Sequence, residues 1–354
     1  MSRFIPLLSL LLLSLPAATV RAQVERHSLT GERVAVYNLA GKLRVEAGSG
    51  SEVVVEVTRG GRDASQLRVE KGAIGDRQTL RVVYPSDRVV YPELGRGDRT
   101  TISVRSDGTW GDDERGYRGG DRERDRVEIR GSGSGLEAFA DLRVLVPRGQ
   151  RIVIHHAVGD ARLANVDGDI AIDVASADVV AEHTRGHLSL DTGSGSLTVT
   201  DAQGDVSLDT GSGGVTITGV KGDVLNMDTG SGSIRATDID VTELKADVGS
   251  GGVRLSRVRA TRVDVDAGSG ATEIELLSNV EQLKVDAGSG GVTVRLPAST
   301  GGEIDVETGS GGIDTDFAVQ LTRFERSHMI GKIGDGRGRI RIESGSGHVR
   351  LLKG

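Results

Sequence analysis

The amino-acid sequence predicts an all-β protein whose main body is a parallel β-solenoid (β-helix) of about ten coils, with an irregular N-terminal insertion. A glycine-rich triplet recurs along most of the chain, and apolar residues alternate with polar ones on both sides of it. The 354 residues include 52 glycines but only four Phe, four Tyr and one Trp. A core with so few aromatic residues must be thin and built from Val, Ile, Leu and Ala.

The triplet, usually Gly-Ser-Gly, recurs with a nearly constant period. It begins at residues 193, 211, 230, 249, 268, 288, 309 and 345, and degenerate versions begin at residues 157 and 175. The first seven intervals from residue 157 are 18, 18, 18, 19, 19, 19 and 20 residues. A repeat of this length is typical of a solenoid, in which each coil packs on its two neighbours. We expect the glycines at tight corners whose backbone angles disfavour other residues.

Each repeat contains two predicted strands. Apolar residues occupy alternate positions before the triplet at residue 193, at Leu188 and Leu190, and after it, at Leu197 and Val199. This period of two predicts strands with one buried face. A second turn, clearest at Gly204, separates the strands. One repeat is therefore a strand, a Gly-Ser-Gly corner, a strand and a second corner, and stacked coils pair in parallel.

The alternative fold is an antiparallel meander. Short strands separated by turns about every nine residues are also typical of sandwiches and barrels. However, residues of the same type recur at the same phase of the 18–20-residue period. A coil stack requires such columns and a meander does not, so the sequence favours the solenoid.

The remaining sequence divides around this repeat into segments of different composition. The predicted units are residues 1–22, a signal peptide; 23–58, the N-terminal strands and first coil; 59–135, a charged insertion, largely disordered over 85–126; 136–315, the regular solenoid; and 316–354, a C-terminal cap and last coil. The segment 85–126 is dense in Arg, Asp and Gly with few apolar residues, a composition typical of disorder.

The first 22 residues predict export through a secretory signal. Arg3 precedes an apolar run from Phe4 to Leu15, and small residues follow as far as Ala22. The run is well below the ~20 apolar residues that a membrane-spanning helix needs. The mature chain is therefore expected in the periplasm or outside the cell, with no membrane span.

Three motifs carry a resemblance to a known family. They are the sequence from Ala140 to Gly149, the coils that end in Asp-Thr-Gly-Ser-Gly, and the sequence from Ile330 to Gly336 followed by that from Arg341 to Gly347. In this order they resemble the bacterial putative-adhesin family, a domain of unknown function with Gly-Ser-Gly repeats, over most of the mature chain. The resemblance implies an exported β-solenoid with no established chemistry.

Charge and composition exclude several function classes. The chain has 44 basic and 51 acidic residues, a net charge of −7 and a pI near 5.6, so nucleic-acid binding is not expected. Because it has no cysteine, it can form neither disulfides nor thiolate metal sites. A serine recurs at every corner, whereas nucleophilic catalysis uses one serine with a base. We therefore predict no enzyme activity, no catalytic residues and no cofactor.

An acidic residue precedes each triplet and predicts a column on the outside of the coils. Its members are Asp191, Asp209, Asp228, Asp247, Asp266, Asp286, Glu307 and Glu343. Stacked acids either raise one another's pKa values or recruit cations such as Ca²⁺. The alternative is a row of solvated acids that bond to corner amides. The calcium-binding roll repeat is absent, so no metal site is predicted.

Three aromatic residues of the insertion are candidate partner-binding residues. Tyr91, Trp110 and Tyr117 lie among arginines, and Tyr, Trp and Arg are enriched at interaction hot spots. The alternative is an insertion without a binding role.

Two smaller expectations concern buried and exposed positions. Phe317, Leu321 and Phe324 are expected to cover the exposed end of the last coil, because a solenoid needs a cap. The seven histidines show no metal-ligand spacing beyond the pairs His155/His156 and His183/His187, and they are expected on the surface.

Together these observations predict an exported, non-catalytic β-solenoid binding or scaffold protein. It would be adhesin-like and would present an extended surface to a protein or a cell-envelope component. One alternative is a periplasmic envelope-stress or structural accessory protein. Another is a polysaccharide-active β-helix enzyme.

Overall fold

A computed structural model describes residues 24–111 and 124–354. The predicted signal peptide, residues 1–22, lies outside the described residues, as does Tyr117. The helical elements of the described residues are two short 3₁₀ turns, Ala64–Gln66 and Pro92–Leu94. All other regular structure there is β.

The strands fall into three groups along the chain. The N-terminal strands are β1 (Val24–Leu29), β2 (Arg33–Ala40), β3 (Leu43–Ala47), β4 (Val53–Gly60), β5 (Arg68–Ile74), β6 (Arg77–Val83), β7 (Arg88–Val90), β8 (Arg99–Arg105), β9 (Arg124–Arg130), β10 (Leu136–Glu137) and β11 (Phe139–Val146). The regular coils contain β12 (Gln150–Val158), β13 (Ala161–Ala164), β14 (Asp167–Ser176), β15 (Val179–Glu182), β16 (Arg185–Ser194), β17 (Leu197–Gln203), β18 (Val206–Thr210), β19 (Val215–Thr229), β20 (Ile234–Val248), β21 (Val253–Ala267), β22 (Thr272–Leu276), β23 (Gln282–Ala287) and β24 (Val292–Leu296). The C-terminal strands are β25 (Gly302–Thr308), β26 (Ile313–Thr315), β27 (Gln320–Glu325), β28 (His328–Ile333), β29 (Gly338–Ser344) and β30 (Val349–Lys353).

The coils stack in parallel and in register, which confirms the predicted solenoid. Strands directly before the triplets form one face, here named the acidic face, and strands directly after them form the opposite face. On the acidic face Ile172 pairs with Leu190 and Leu190 with Leu208, each one repeat further along the chain. On the opposite face Leu197 pairs with Val215 in the same parallel sense. The meander is excluded because these neighbouring strands run in the same direction.

The core is a narrow aliphatic column between the two faces. In β20, buried and exposed residues alternate along most of the strand, and Ile234, Ala236 and Leu244 are fully buried. Equivalent positions in the other coils hold Val, Ile, Leu or Ala, apart from the buried Thr272 in the column of Ile234. Burial of this apolar surface, worth about 25 cal/mol per Å², therefore holds the coils together layer by layer.

The corner glycines are required for a different reason from the one expected. From residue 193 onward, Gly195 alone among the triplet glycines has a φ in the left-handed region. A Cβ at Gly213 or Gly232 would instead lie within 3.0 Å of the backbone oxygen of the equivalent glycine in the preceding coil. The coils approach so closely at this corner that only a residue without a side chain fits.

Left-handed residues stack at the second corner instead. Asn165, His183, Asp201, Asp238 and Arg257 all have φ between 53° and 58°. Asn and Asp tolerate this conformation well because their short side chains bond locally, and His is also enriched in it, whereas Arg occupies it less readily. The periodic pattern of glycines did not indicate this second row.

Both chain ends are interleaved with the stack, which corrects the predicted position of the last coil. The C-terminal strands β29 and β30 lie between the coil of β23 and β24 and the coil of β25 and β26. In the same way, β2 lies between β6 and β12, and β3 between β11 and β13. The last coil in the sequence is therefore enclosed on both sides, and antiparallel strands close the stack beyond it.

The charged insertion forms a second, four-stranded sheet in the order β10-β7-β9-β8. Residues 85–111 and 124–126 thus belong to or connect ordered strands, which corrects the expectation that most of 85–126 is disordered. Its few apolar side chains are concentrated where the sheet meets the solenoid, and Val89, Tyr91 and Ile129 are buried. The average composition of the segment did not indicate these ordered strands, because the solenoid supplies the rest of the apolar surface against which they pack.

Candidate partner-binding cleft

A cleft of about 510 Å³ separates the insertion sheet from the acidic face of the first coils. Ile102, Ser103, Trp110 and Gly111 line it from the insertion. The solenoid contributes a floor of small and β-branched residues together with two carboxylates; its lining residues are Val153, Ala171, Ile172, Asp173, Val174, Ala175, Ser189, Asp191 and Gly193. The small side chains of the floor leave room for a group between the two walls.

Trp110 fixes the insertion against the solenoid. Its indole ring, in a residue that is 6% exposed, packs edge-on against the His155 ring with centroids 5.5 Å apart. The Trp110 Nε1 donor is buried and has no hydrogen-bond partner among the described residues. Burial of an aromatic ring of this size is a large stabilising contribution, so Trp110 anchors the wall of the cleft.

His155 lies at the head of the acidic column. Its ring stacks on Tyr37 with centroids 4.7 Å apart, and its Nδ1 lies 2.9 Å from Asp173 Oδ2. Gly111 covers this pair, because a Cβ at Gly111 would lie 2.7 Å from the His155 ring and 3.0 Å from the Asp173 carboxylate. The expectation of a surface histidine is wrong here, since His155 is 1% exposed. The sequence feature that could have indicated this position is that His155 precedes Asp173 by one repeat.

The predicted acidic column is continuous and in register. Parallel pairing joins its members in the spatial order Asp173, Asp191, Asp209, Asp228, Asp247, Asp266, Asp286, Glu343, Glu307. Sequence analysis missed the first member and placed the two glutamates in chain order. The strands that carry neighbouring members of the row lie about 4.8 Å apart.

Partial burial and mutual repulsion raise the pKa values of two carboxyl groups in this row. The pKa of Asp228 is raised by partial burial and by the charges of Asp209 and Asp247. The pKa of Asp266 is raised for the same two reasons, with Asp247 and Asp286 as its charged neighbours. The row is therefore a line of negative potential that favours positively charged partners.

The row does not form a closed metal site. Within residues 24–111 and 124–354, no group of three or more His, Asp or Glu side chains converges so that it could hold a metal ion. Calcium takes six to eight oxygen ligands, whereas these carboxylates are distributed along a line.

Tyr91 anchors the insertion at a second point. It is 2% exposed, and its ring packs edge-on against Phe139 with centroids 5.3 Å apart. Its hydroxyl donates to Glu93 Oε2 at 3.3 Å, and Lys42 Nζ lies 2.9 Å from the same carboxylate. Burial raises the pKa of the Tyr91 phenol.

The structure thus corrects the accessibility expected of the candidate residues. A partner-binding role for Tyr91 and Trp110 stays a prediction, and Trp110 still lines the cleft, but both rings are largely buried. The reason is that the residue types enriched at interaction hot spots are also those that contribute most to cores. A binding role for Tyr117 stays a prediction outside the described residues.

A buried polar network lies behind the Tyr91 anchor, and the sequence analysis did not predict it. The Tyr84 hydroxyl donates to Asn38 Oδ1 at 2.8 Å, and Asn38 Nδ2 donates to the Ala140 carbonyl at 2.7 Å. His156 Nε2 lies 2.9 Å from the Gly41 carbonyl oxygen, and burial lowers the pKa of His156 to about 4. His156 is fully buried, so the surface position expected for it is also wrong.

A shallower trough of about 630 Å³ follows the second corner. It is lined by residues of both charges, including Asp167, Arg185, Lys221 and Asp240. It is bordered by the left-handed residues, among which His183 Nδ1 lies 3.4 Å from Asp201 Oδ2. Because its charges alternate, it offers less net potential than the acidic row.

Comparison with known proteins finds a family that part of the chain resembles. Residues 188–352 match the model of the family described as Toastrack DUF4097, a domain of unknown function. These residues, slightly under half of the chain, are similar to that family, and the resemblance seen in the Gly-Ser-Gly coils is confirmed there. No curated protein matches the chain at a significant level.

Two solved structures are similar to the chain in parts of their fold. One, from Clostridium sporogenes ATCC 15579, is described as a putative cell adhesion protein; it is 10% identical with a TM-score of 0.24, and the match covers 94% of this chain and 100% of that one. The other, from Bacteroides fragilis NCTC 9343, is described as a putative adhesin; it is 11% identical with a TM-score of 0.29, and the match covers 94% and 98%. Over the described part of this chain, no helix is both long and apolar enough to cross a membrane.

Proposed function

We propose that this chain is an exported, non-catalytic binding scaffold, adhesin-like in that it presents an extended rigid surface to a protein or cell-envelope partner. The observation that carries the proposal is the continuity of the cleft with the acidic row. Asp173 and Asp191 line the cleft, and the same column continues in register to Glu307 at the other end of the solenoid. The partner's contact surface is therefore positively charged.

Rigidity is what the solenoid contributes to binding. Each carboxylate of the row stands on a strand that is bonded to the coils on both sides, so their spacing is fixed before the partner arrives. A preformed array avoids the entropy cost of ordering the binding groups. Because the row is polyanionic, its binding should weaken as salt concentration rises.

The test is capture from envelope extract by immobilised protein, followed by measurement of affinity for the captured component. Asp209→Asn with Asp228→Asn removes two adjacent charges of the row and should weaken binding by about tenfold or more. A matched control is Glu273→Gln, which removes an exposed acid on the opposite face that pairs with Arg254 at 2.9 Å. Equal binding by both variants would contradict the acidic face as the contact surface.

Location and catalysis are tested separately. Cell fractionation distinguishes surface display from a soluble periplasmic accessory role, which is the first alternative. Incubation with a panel of polysaccharides should show no cleavage. Cleavage that Asp173→Asn abolishes would instead favour the second alternative, a polysaccharide-active enzyme.

A further inference from the structure

The C-terminal end of the solenoid carries an uncovered apolar patch. Phe317 covers the end of the core as predicted and is 8% exposed. Leu321 and Phe324, which were expected to share this role, are instead 53% and 64% exposed. They lie on β27, the outermost strand at this end, and we name them with that strand the end patch.

The two side chains point toward the place where a further coil would lie. In the antiparallel pairing of β27 with β28, Leu321 is opposite Gly331 and Phe324 is opposite Met329. Directly opposite residues share a face of the sheet, and both partners are buried on the core side. A register shift between Leu321 and Arg323 allows residues three apart to share that side. The end patch therefore extends the core face beyond the last layer.

The outer edge of β27 is also unpaired among the described residues. Natural edge strands are shielded by charged side chains that project across the open side. Here Arg323 and Glu325 pair with each other along the strand, with Nη2 and Oε1 2.7 Å apart. Strand β27 pairs with β28 and with no other described strand. Its outer backbone groups are thus available to a further strand.

We propose that a second copy of this chain covers the end patch, with the two β27 strands pairing antiparallel about a two-fold axis. The strands β25, β28 and β27 already alternate in direction, so an antiparallel copy continues the established sheet. With Thr322 left unpaired at the register shift, an axis at Arg323 places Leu321 of one copy opposite Phe324 of the other.

The strand sequence is self-complementary in that arrangement. Gln320 of one copy faces Glu325 of the other, and Arg323, which faces its equivalent in the other copy across the axis, is ion-paired with Glu325 of its own strand at 2.7 Å. Each copy buries the other's apolar pair, and the interface is isologous, as in most homodimers. This inference is independent of the proposed partner and of the acidic face.

The first test is sedimentation equilibrium of the purified protein over a range of concentrations, where a dimer is expected. Phe324→Glu places a charge in the interface and should raise the dimer dissociation constant by at least about tenfold. Leu277→Glu is the matched control, because Leu277 is also apolar and 40% exposed but lies far along the chain in another turn. A wild-type monomer at all concentrations, or a dimer that Phe324→Glu leaves unchanged, would overturn the proposal.

A second test fixes the orientation and does not depend on affinity. The chain has no cysteine, so single-cysteine variants are unambiguous. Directly opposite positions of antiparallel strands have the Cα separation that a disulfide needs. A mixture of Leu321→Cys and Phe324→Cys proteins should form a mixed disulfide-linked dimer under oxidising conditions, and Leu277→Cys should not. Linear higher oligomers, or equal cross-linking by the Leu277 variant, would show a different association and reject the two-fold pairing.

Discussion

The regular coils and the N-terminal region achieve stability in opposite ways. In the coils, each contact recurs one repeat later, as when Thr210 Oγ1 donates to the Gly195 carbonyl and Thr229 Oγ1 donates to the Gly213 carbonyl. In the N-terminal region the contacts occur once, as in the stack of Tyr37 on His155 and the network around His156. A repeated contact can be read from the sequence, whereas a single contact depends on which elements meet in three dimensions.

The largest expected effect on stability comes from replacing a glycine in each of these two regions. Gly232→Ala places a Cβ within 3.0 Å of the Gly213 backbone oxygen, so two coils must separate. Gly75→Ala is the N-terminal counterpart: Gly75 has φ +60°, and a Cβ added there would meet no atom within 4 Å, so only backbone strain opposes it. We expect the first variant to lose more than about 3 kcal/mol of unfolding free energy and the second about 1 kcal/mol, measured by urea denaturation. Equal losses would show that backbone angle, not coil spacing, selects the glycines.

The next effect is a pH dependence that arises in the N-terminal region. Burial lowers the pKa of His156 from 6.5 to about 4, so the unfolded chain binds this proton more readily than the folded one. The free energy of unfolding should therefore fall by about 3 kcal/mol as pH drops from about 6.5 to about 4. His156→Gln should remove most of this slope, while His183→Gln should retain it because His183 is exposed. A slope unchanged in the His156 variant would contradict the assignment.

A smaller effect is expected from the corner hydroxyls. Thr229 Oγ1 donates to the Gly213 carbonyl at 2.8 Å and accepts from the Gly232 amide at 3.0 Å. Thr229→Val leaves both backbone groups without this partner and should cost about 1–2 kcal/mol. The next coil carries Val248 at the same position, so Val248→Thr is the matched reverse substitution and should be neutral or stabilising. Thermal unfolding of both variants checks the sign, and a stabilising Thr229→Val would refute this role.

The smallest effect has the opposite pH sign and belongs to the regular coils. Because the pKa of Asp228 is raised in the fold, its ionised form is less favourable there than in the unfolded chain. Its contribution to stability should increase as pH falls through the folded pKa toward the ordinary value of 3.8. Asp228→Asn should therefore stabilise the protein at pH 7, by less than about 1 kcal/mol because Asp228 is largely solvated. The gain should shrink in high salt, and a destabilised variant would show that the carboxylate has a favourable partner.

The candidate site was only partly predictable. The acidic row followed from the phase of the triplet, because equal spacing in the sequence becomes direct pairing in a parallel stack. Tyr91 and Trp110 were singled out as partner-binding candidates, and the sequence did not indicate that both are buried. An aromatic residue whose sequence neighbours are arginines is expected to be exposed. Only the tertiary structure shows that a face of the solenoid covers it.

The sequence by itself determined the period, the two strands of each coil, the aliphatic core and the acidic row, because all of these are local patterns that repeat. The tertiary structure decided where the insertion packs, which histidines are buried, and that the coil of β29 and β30 lies between two earlier coils. The physical reason is that every coil presents nearly the same parallel edge to its neighbour. Local pattern therefore specifies that a strand joins the stack, and only the packing of the whole chain selects the layer.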